Sequence, residues 1–276
     1  MSIQLYPAFA VIKGTYFLKN TGADTIRLTA GFPSGSSFDV NSGYYQIRTS
    51  FEENYFLKAL ENGNELASSE SGQWYSPQHE ETHAWNLWTN TLSPGTITIV
   101  EVYTIVSTNH SEMTDGWGHR NDNVFVYITE CGLWSTYIRS GSVTIQLMDG
   151  LDEDDFRGFS PDSVFTHYPE SNILHWDFRG LAMSDGRFNI VFAYGERVPG
   201  FQFYEILAQS KHYLDAVDQL DQTVVKGAGT VFSIGDPFNF EGAADNPVFL
   251  FLLFGVLATA VIVFAVIFIV RQFSRK

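Results

Sequence analysis

An uninterrupted apolar run near the C-terminus constrains this chain more than any other feature of its sequence. Residues 248–270 read VFLFLLFGVLATAVIVFAVIFIV and contain no charged side chain from Val248 to Val270. At about 1.5 Å of rise per residue, a helix of this length matches the roughly 30 Å hydrocarbon core of a bilayer. The sequence therefore predicts one C-terminal transmembrane helix, with the lipid bilayer as a partner.

The charges beside this run predict its orientation. The tail RQFSRK, residues 271–276, begins with Arg271 and carries three basic side chains, whereas SIGDPFNFEGAADN before the run has no Lys or Arg. By the positive-inside rule the tail is cytoplasmic and the bulk of the chain lies outside the cell membrane. The opening MSIQLYPAFAVIKGTYFLKN does not have the pattern of an export signal. Two interpretations stay open: the sequence of a mature or shortened exported form, or a tail anchor with its bulk in the cytosol. The charge asymmetry favours export.

Short alternating runs separated by turn signals fill the first 200 residues. In NILHWDF, for example, Leu174, Trp176 and Phe178 share one face, and Asn62-Gly63 and Pro94-Gly95 mark turns. We expect a mainly β fold, an antiparallel β-sandwich of about nine or ten strands over residues 1–200. An amphipathic membrane-proximal helix over 201–225 and a Gly-rich connector over 226–247 lead to the membrane helix.

Charge and cysteine content exclude several classes of function. The formal net charge is −15, so phosphate backbones would be repelled and nucleic acid is not expected as a partner. Because Cys131 is the one cysteine, neither an intrachain disulfide nor a Cys₄ zinc site can form. No Gly-rich nucleotide-binding pattern occurs, and we expect no cofactor.

The stretch HEETH, from His79 to His83, matches the zinc-peptidase signature H-E-x-x-H. That chemistry needs a helix, where both imidazoles lie on one face and Glu80 can activate a metal-bound water. Pro77 precedes the motif, and alternating residues in AWNLWTNTL follow it, so the segment is predicted to be loop and strand. We therefore do not expect a catalytic zinc site at His79 and His83.

Three further stretches are weaker candidates for binding. The acidic run DEDD includes Asp152 and Asp154, which could hold calcium, although the alternating D-x-D-x-D-G loop is missing. Trp117 sits between glycines in a polar loop and could contact a ligand or partner. Asn109-His110-Ser111 fits a glycosylation pattern.

Four stretches together resemble a set of uncharacterised bacterial β-sandwich domains. They are GTYFLKNTGADTIRLTAGFP, WNLWTNTLSPGTITIVEVYT, VYITECGLWSTYIRSGSVTI and ILHWDFRGL, and they cover most of residues 10–195. The chain departs from the pattern at Cys131, where Thr is usual, and at residues 135–137. The resemblance implies a secreted or membrane-anchored protein and supplies no catalytic residues.

These observations predict a single-pass, cell-surface β-sandwich protein that binds or assembles with other molecules and is not an enzyme. One alternative is an accessory subunit of a larger membrane protein complex, docked through its membrane helix, where Gly255 and Thr259 would allow close helix contact. The other alternative is a zinc metallopeptidase that uses His79, Glu80 and His83.

Overall fold

The computed structural model describes the chain over twelve stretches. They are residues 1–34, 37–41, 45–50, 55–76, 81–109, 111–115, 118–120, 122–127, 137–157, 164–182, 190–221 and 227–232. The chain divides into two units, Met1–Pro237 and Phe238–Lys276. All the described residues belong to the first unit.

A nine-stranded sheet forms the main layer of this unit, in the order β19-β16-β17-β14-β1-β2-β10-β6-β7. Its long central strands have about twice the usual length of five or six residues. The strands of this sheet are β1 Ser2–Tyr6, β2 Phe9–Lys19, β6 Phe56–Glu61, β7 Asn64–Glu65, β10 Ile97–Ser107, β14 Tyr137–Leu147, β16 Thr166–Tyr168, β17 Ile173–Ala182 and β19 Thr230–Val231.

Three smaller sheets contain the other described strands, in the orders β3-β9-β8, β12-β11-β5-β4 and β13-β18-β15. Their strands are β3 Ile26–Ser34, β4 Ser37–Asn41, β5 Tyr45–Ser50, β8 Ser69–Ser76, β9 Glu81–Leu92, β11 Ser111–Asp115, β12 Gly118–Arg120, β13 Asp122–Tyr127, β15 Phe156–Arg157 and β18 Ile190–Glu196.

This architecture confirms a mainly β fold, while its sheets do not form a clear sandwich. The described strands number nineteen rather than nine or ten, and they form one large mixed sheet with three small ones. β1 pairs with β14 in parallel, with Ser2 opposite Thr144, so the sheet is not wholly antiparallel. Alternation along a strand reports which face is buried and says nothing of the direction of its neighbour, which is why the sequence did not reveal this pair.

The main core lies on one face of the nine-stranded sheet, called the inner face below. Side chains of β1, β2, β14 and β17 meet those of β13, β15 and β18 across it. Trp176 is buried there, as its alternation predicted, and its ring lies 5.8 Å from that of Phe165. The largest fully buried members are Ile3, Leu5, Phe125, Ile145, Phe165, Leu174, Phe192 and Tyr194.

Two helices, α1 Phe203–Ala208 and α2 Ser210–Asp221, cover part of the opposite, outer face. They fall within the segment for which the sequence predicted one helix. The ring of Tyr213 packs edge-on against Phe9 and Tyr6, at 5.2 and 5.5 Å between centroids. Val217 is fully buried in the same cluster. This cluster holds α2 on β1 and β2.

No helix within the described stretches combines the length and hydropathy needed to cross a membrane. Residues 248–270, with the predicted anchor positions Val248, Val270 and Arg271, lie outside those stretches.

Candidate functional site

Exposed apolar side chains are concentrated at one end of the large sheet. Phe17 is 69 % exposed and Ile97 is 60 % exposed, although both lie on long central strands. Phe17 faces Ile99 directly across the ladder between β2 and β10, and Ile97 is two residues from Ile99 on the same face. We define the apolar tip as Phe17, Ile97 and Ile99, which share the outer face at this end of the sheet and are all exposed.

A single buried asparagine fixes the backbone of the tip. The Asn20 amide donates to the carbonyls of Asp24 and Leu92, at 2.7 and 2.9 Å, and its oxygen accepts from the N–H of Gly22. The Asn20 carbonyl also accepts from Gly95, in the predicted Pro-Gly turn. Both turns of the tip are therefore held by one residue, through its side chain and its backbone carbonyl, so the exposed apolar residues sit on a fixed scaffold.

The predicted Asn62-Gly63 hairpin closes the other side of the tip. Both residues have positive φ, 49° and 81°, as the two-residue turn between β6 and β7 requires. The Asn62 N–H donates to the Ile99 carbonyl, and the Ile99 N–H donates to the Asn62 side-chain oxygen. Glu61 accepts from the N–H of Thr91 at 2.8 Å, which ties β9 to β6.

Beside the tip, a buried lysine joins α2 to the outer face. The Lys13 ammonium lies 2.8 Å from Asp218 of α2 and 3.3 Å from Glu101 of β10. The Tyr103 hydroxyl donates to the same Asp218 carboxylate at 2.8 Å. Burial, and then the bond to Asp218, raise the pKa of Tyr103 to about 12. We call Lys13, Glu101, Tyr103 and Asp218 the lysine clasp. Because its contacts join β2 and β10 to α2, we interpret the clasp as holding this helix on the sheet.

A line of polar side chains on the outer face has the composition of a hydrolase triad. Thr144 Oγ1 lies 3.0 Å from His175 Nδ1, and His175 Nε2 lies 3.4 Å from Asp177. However, Thr144 and His175 are direct register partners, and the Asp177 side chain is 81 % exposed. Water competes for a carboxylate this exposed and leaves it little power to orient the imidazole. We interpret the line as a cross-strand polar ladder, which no local sequence pattern reveals because Thr144 and His175 are 31 residues apart.

A second histidine is buried at the sheet edge. His167 of β16 is 3 % exposed, and its Nδ1 lies 2.7 Å from Glu153. Its Nε2 has no hydrogen-bond partner among the residues that the structure describes, and the ring packs against Phe232. The pair connects the acidic turn to β16, beside the register partner Thr230 of β19.

The acidic run uses its carboxylates locally. Asp152 accepts from the N–H of Asp154 at 2.9 Å, and Asp155 accepts from the N–H of Asp152 at 3.0 Å, which closes a single 3₁₀ turn. Within the stretches that the structure describes, no three His, Cys, Asp or Glu side chains are grouped to hold a metal ion. Calcium at Asp152 and Asp154 therefore stays a prediction without a third ligand.

The other predicted sites have mixed outcomes. His83 lies in the strand β9, whose extended backbone agrees with the expectation of a strand after the motif. His79, Glu80, Trp117 and Cys131 lie outside the described residues. Asn109 is buried, and its amide both donates to the Val198 carbonyl and accepts from the Val198 N–H. This clamp leaves no exposed amide for a glycan.

Comparison with known proteins adds one distant likeness. No family model matches the sequence, and none of the curated proteins matches it. The chain is similar to the crystal structure of a candidate nutrient-binding protein from Legionella pneumophila, at 10 % identity and a TM-score of 0.44. The match covers 69 % of this chain and 64 % of that one, so the chain spans less than two thirds of that protein. A likeness at this level transfers neither fold nor function, and the resemblance to bacterial β-sandwich domains stays an expectation.

Proposed function

We propose that this chain is a non-catalytic binding or assembly protein, and that it contacts a protein partner through the apolar tip. The observation that carries the proposal is the concentration of three exposed apolar side chains, Phe17, Ile97 and Ile99, on one face at the end of a central pair of strands. Apolar patches of a few hundred Å² on a soluble surface commonly mark interaction sites. The Asn20 and Asn62 hydrogen bonds hold this patch in place before any partner binds, which lowers the entropic cost of association.

A protein partner fits the tip better than a lipid surface. The chain carries a net charge of −15, which opposes approach to anionic headgroups. Exposed charges near the tip are of both signs, with Lys19 and Arg27 beside Asp24. An apolar centre with a rim of mixed charge is the composition of ordinary protein interfaces.

Membrane anchoring through residues 248–270, with the bulk of the chain outside, is the second part of the proposal and rests on the sequence alone. In this setting the chain serves as a surface-bound partner or as an accessory subunit of a membrane complex. Protease added to intact cells, or to spheroplasts where an outer membrane intervenes, is expected to digest residues 1–240. Protection until lysis would instead support a tail anchor.

Site-specific photo-crosslinking of the full chain in native membranes tests the tip. A photoreactive residue in place of Ile97 is expected to give a discrete adduct with another polypeptide. The same residue in place of Val231 serves as a matched control. Val231 is 70 % exposed but lies on β19, five strand spacings or roughly 24 Å from β2.

Replacement of tip residues by threonine, a polar residue that is also common in β-strands, completes the test. Phe17→Thr with Ile99→Thr is expected to abolish the adduct from position 97, whereas Val231→Thr leaves it unchanged. Adducts with lipid alone, or equal adducts from positions 97 and 231, contradict a protein-binding tip.

A further inference from the structure

Two polar side chains of β9 are buried without hydrogen-bond partners. Asn90 is 1 % exposed and Trp88 is 5 % exposed. Among the residues that the structure describes, no group accepts from the Asn90 amide nitrogen or from the Trp88 indole N–H, and none donates to the Asn90 amide oxygen. Buried polar groups in native proteins are nearly always paired, so a molecule that is not part of the described chain is expected to meet these atoms.

The alternation along β9 places both side chains on the same face. The buried residues of this stretch are Trp88, Asn90 and Leu92, and the residues between them, Thr89 and Thr91, are exposed. Residues two apart on one face of a strand are separated by roughly 7 Å. One small molecule can therefore contact both the indole and the amide.

The neighbouring strand β3 shows that this face points into the protein. Ala30 of β3 is the register partner of Trp88. Phe32 lies two residues farther along β3, on the same face, and packs against the main core. The unpaired atoms of Trp88 and Asn90 are thus directed toward the protein interior.

The unpaired atoms specify the hydrogen-bonding character of a ligand. The Trp88 and Asn90 N–H groups need an acceptor, and the Asn90 oxygen needs a donor. A carboxylate can only accept and an ammonium can only donate, so each would leave part of the Asn90 amide unpaired. A hydroxyl group both donates and accepts, and it satisfies the two ends of the amide together.

The surrounding strands favour an uncharged ligand. Among the described residues, the buried side chains of the Asp, Glu, Lys, Arg and His types are Lys13 of β2, Asp122 of β13 and His167 of β16. None of these belongs to β3, β9 or β10. An ion beside Asn90 would therefore have no opposite charge on these strands to offset the loss of its hydration.

From these observations we infer that Trp88 and Asn90 form an internal binding site for a neutral molecule that carries a hydroxyl group. Water and a small polyol share this chemistry, and water is the smaller of the two. The molecule accepts from the Trp88 indole and pairs with the Asn90 amide, which removes the cost of leaving these groups unpaired. The site lies in the interior and is independent of the apolar tip on the outer face.

Nuclear Overhauser spectra of the full chain in nanodiscs test the site. The protein is perdeuterated, labelled with ¹⁵N and purified without glycerol or sugars, and the Trp88 indole signal is assigned by its loss in Trp88→Phe. We expect a direct contact between the Trp88 indole proton and a hydroxyl proton, with opposite signs in NOESY and ROESY spectra, whereas chemical exchange gives equal signs. The Asn20 amide is the matched control, because it is 3 % exposed and its nitrogen donates to two protein carbonyls.

Two variants identify the group that supplies the hydroxyl. Asn90→Leu should weaken the Trp88 contact at least about fivefold, because the hydroxyl loses both a donor and an acceptor. Thr104→Val should leave the contact unchanged. Thr104 is buried, its own hydroxyl has no partner among the described residues, and it faces the inner side of β10 opposite Ile12 of the main core.

The outcomes separate support from contradiction. A hydroxyl contact at the water resonance, with no small molecule released on denaturation, supports bound water. A polyol released at one per chain, as measured by mass spectrometry, supports the same site with the larger ligand. The inference is overturned if the indole and the Asn90 amide contact only protein protons, if Thr104→Val removes the contact, or if the contact persists in Asn90→Leu. Should Asn90→Leu fail to fold, the wild-type and Thr104→Val spectra decide.

Discussion

The ammonium of Lys13 lies 2.8 Å from the carboxylate of Asp218, and this ion pair joins the middle of β2 to the last turn of α2. Lys13 is almost fully buried, while Asp218 is partly exposed. A buried lysine without carboxylate partners would destabilise the folded state. The packing of α2 on the sheet therefore also supplies one of the carboxylates that neutralise Lys13.

Removal of the Asp218 carboxylate should loosen the helix. We expect Asp218→Ala to lower the free energy of unfolding by about 1–3 kcal/mol, because Lys13 and the Tyr103 hydroxyl each lose a partner. Asp215→Ala is the matched control, since Asp215 pairs with Lys211 at the same 2.8 Å on the exposed side of α2. That exposed pair is screened by water, so its loss should have much less effect on stability. Denaturant unfolding of both variants measures the difference, and equal losses would contradict a stabilising clasp.

The tyrosines under α2 predict a loss of stability in alkali. Burial raises the pKa of Tyr103 and of Tyr6 to about 12, from an ordinary value of 10. Between pH 10 and 12 the unfolded chain releases these protons while the folded chain retains them, so the stability falls as pH rises through this window. Below pH 10 the contribution is fully present.

Substitution of one of these tyrosines shows how much of the alkaline loss of stability it causes. Tyr103→Phe should reduce the slope of unfolding free energy against pH between 10 and 12, because one titrating group is removed. Unfolding midpoints at pH 9.5, 10.5 and 11.5 measure the slope. Tyr204→Phe, at an exposed hydroxyl on α1, is the control for the substitution itself. An unaltered slope in Tyr103→Phe would assign the alkaline loss to other groups.

A third prediction concerns Gly141, which lies under the ring of its register partner Phe178. A Cβ atom at position 141 would lie 2.5 Å from Phe178 Cζ. Gly141→Ala should therefore destabilise the fold by about 1–3 kcal/mol, despite the usual gain from replacing glycine within a strand. Phe178→Leu should recover part of this loss in the double variant, as urea unfolding would show. Additive losses in the double variant would exclude the clash.

Local chemistry explains which parts of the fold the sequence could predict. The Asn62-Gly63 turn needs positive φ at both positions, and Gly95 has the positive φ expected of a Pro-Gly turn. Trp176 is buried because alternation fixes the face of a strand whatever its neighbours are. These features depend on a few adjacent residues, so they are visible in the sequence.

Pairing between distant strands could not be predicted in the same way. Ser2 lies beside Thr144, 142 residues along the chain, and no local pattern records that contact or its parallel direction. The lysine clasp is equally hidden, since Lys13 and Asp218 are ordinary surface residues by composition. The apolar tip depends on the register that places Phe17 opposite Ile99, so the candidate site is a property of topology.

The last prediction compares substitutions of the two histidines in the zinc-peptidase pattern with substitution of Trp176 in the main core. His83 belongs to β9, whereas two imidazoles four residues apart need a helix to lie on one face and share a zinc ion. His79→Ala and His83→Ala should therefore change the free energy of unfolding by no more than about 0.5 kcal/mol. Trp176→Ala should cost about 3–5 kcal/mol, because the indole packs 5.0 Å from Phe178 and 5.8 Å from Phe165 in the main core.

Metal analysis of the purified protein decides between the two interpretations of this pattern. Without convergent imidazoles, Glu80 has no metal-bound water to activate, so the wild type and His83→Ala should contain the same trace of zinc. Trp176→Ala controls for metal that is released by a general loss of stability. One tightly held zinc per chain, lost in His83→Ala while its unfolding midpoint stays unchanged, would establish a metal site and contradict the proposed non-catalytic role.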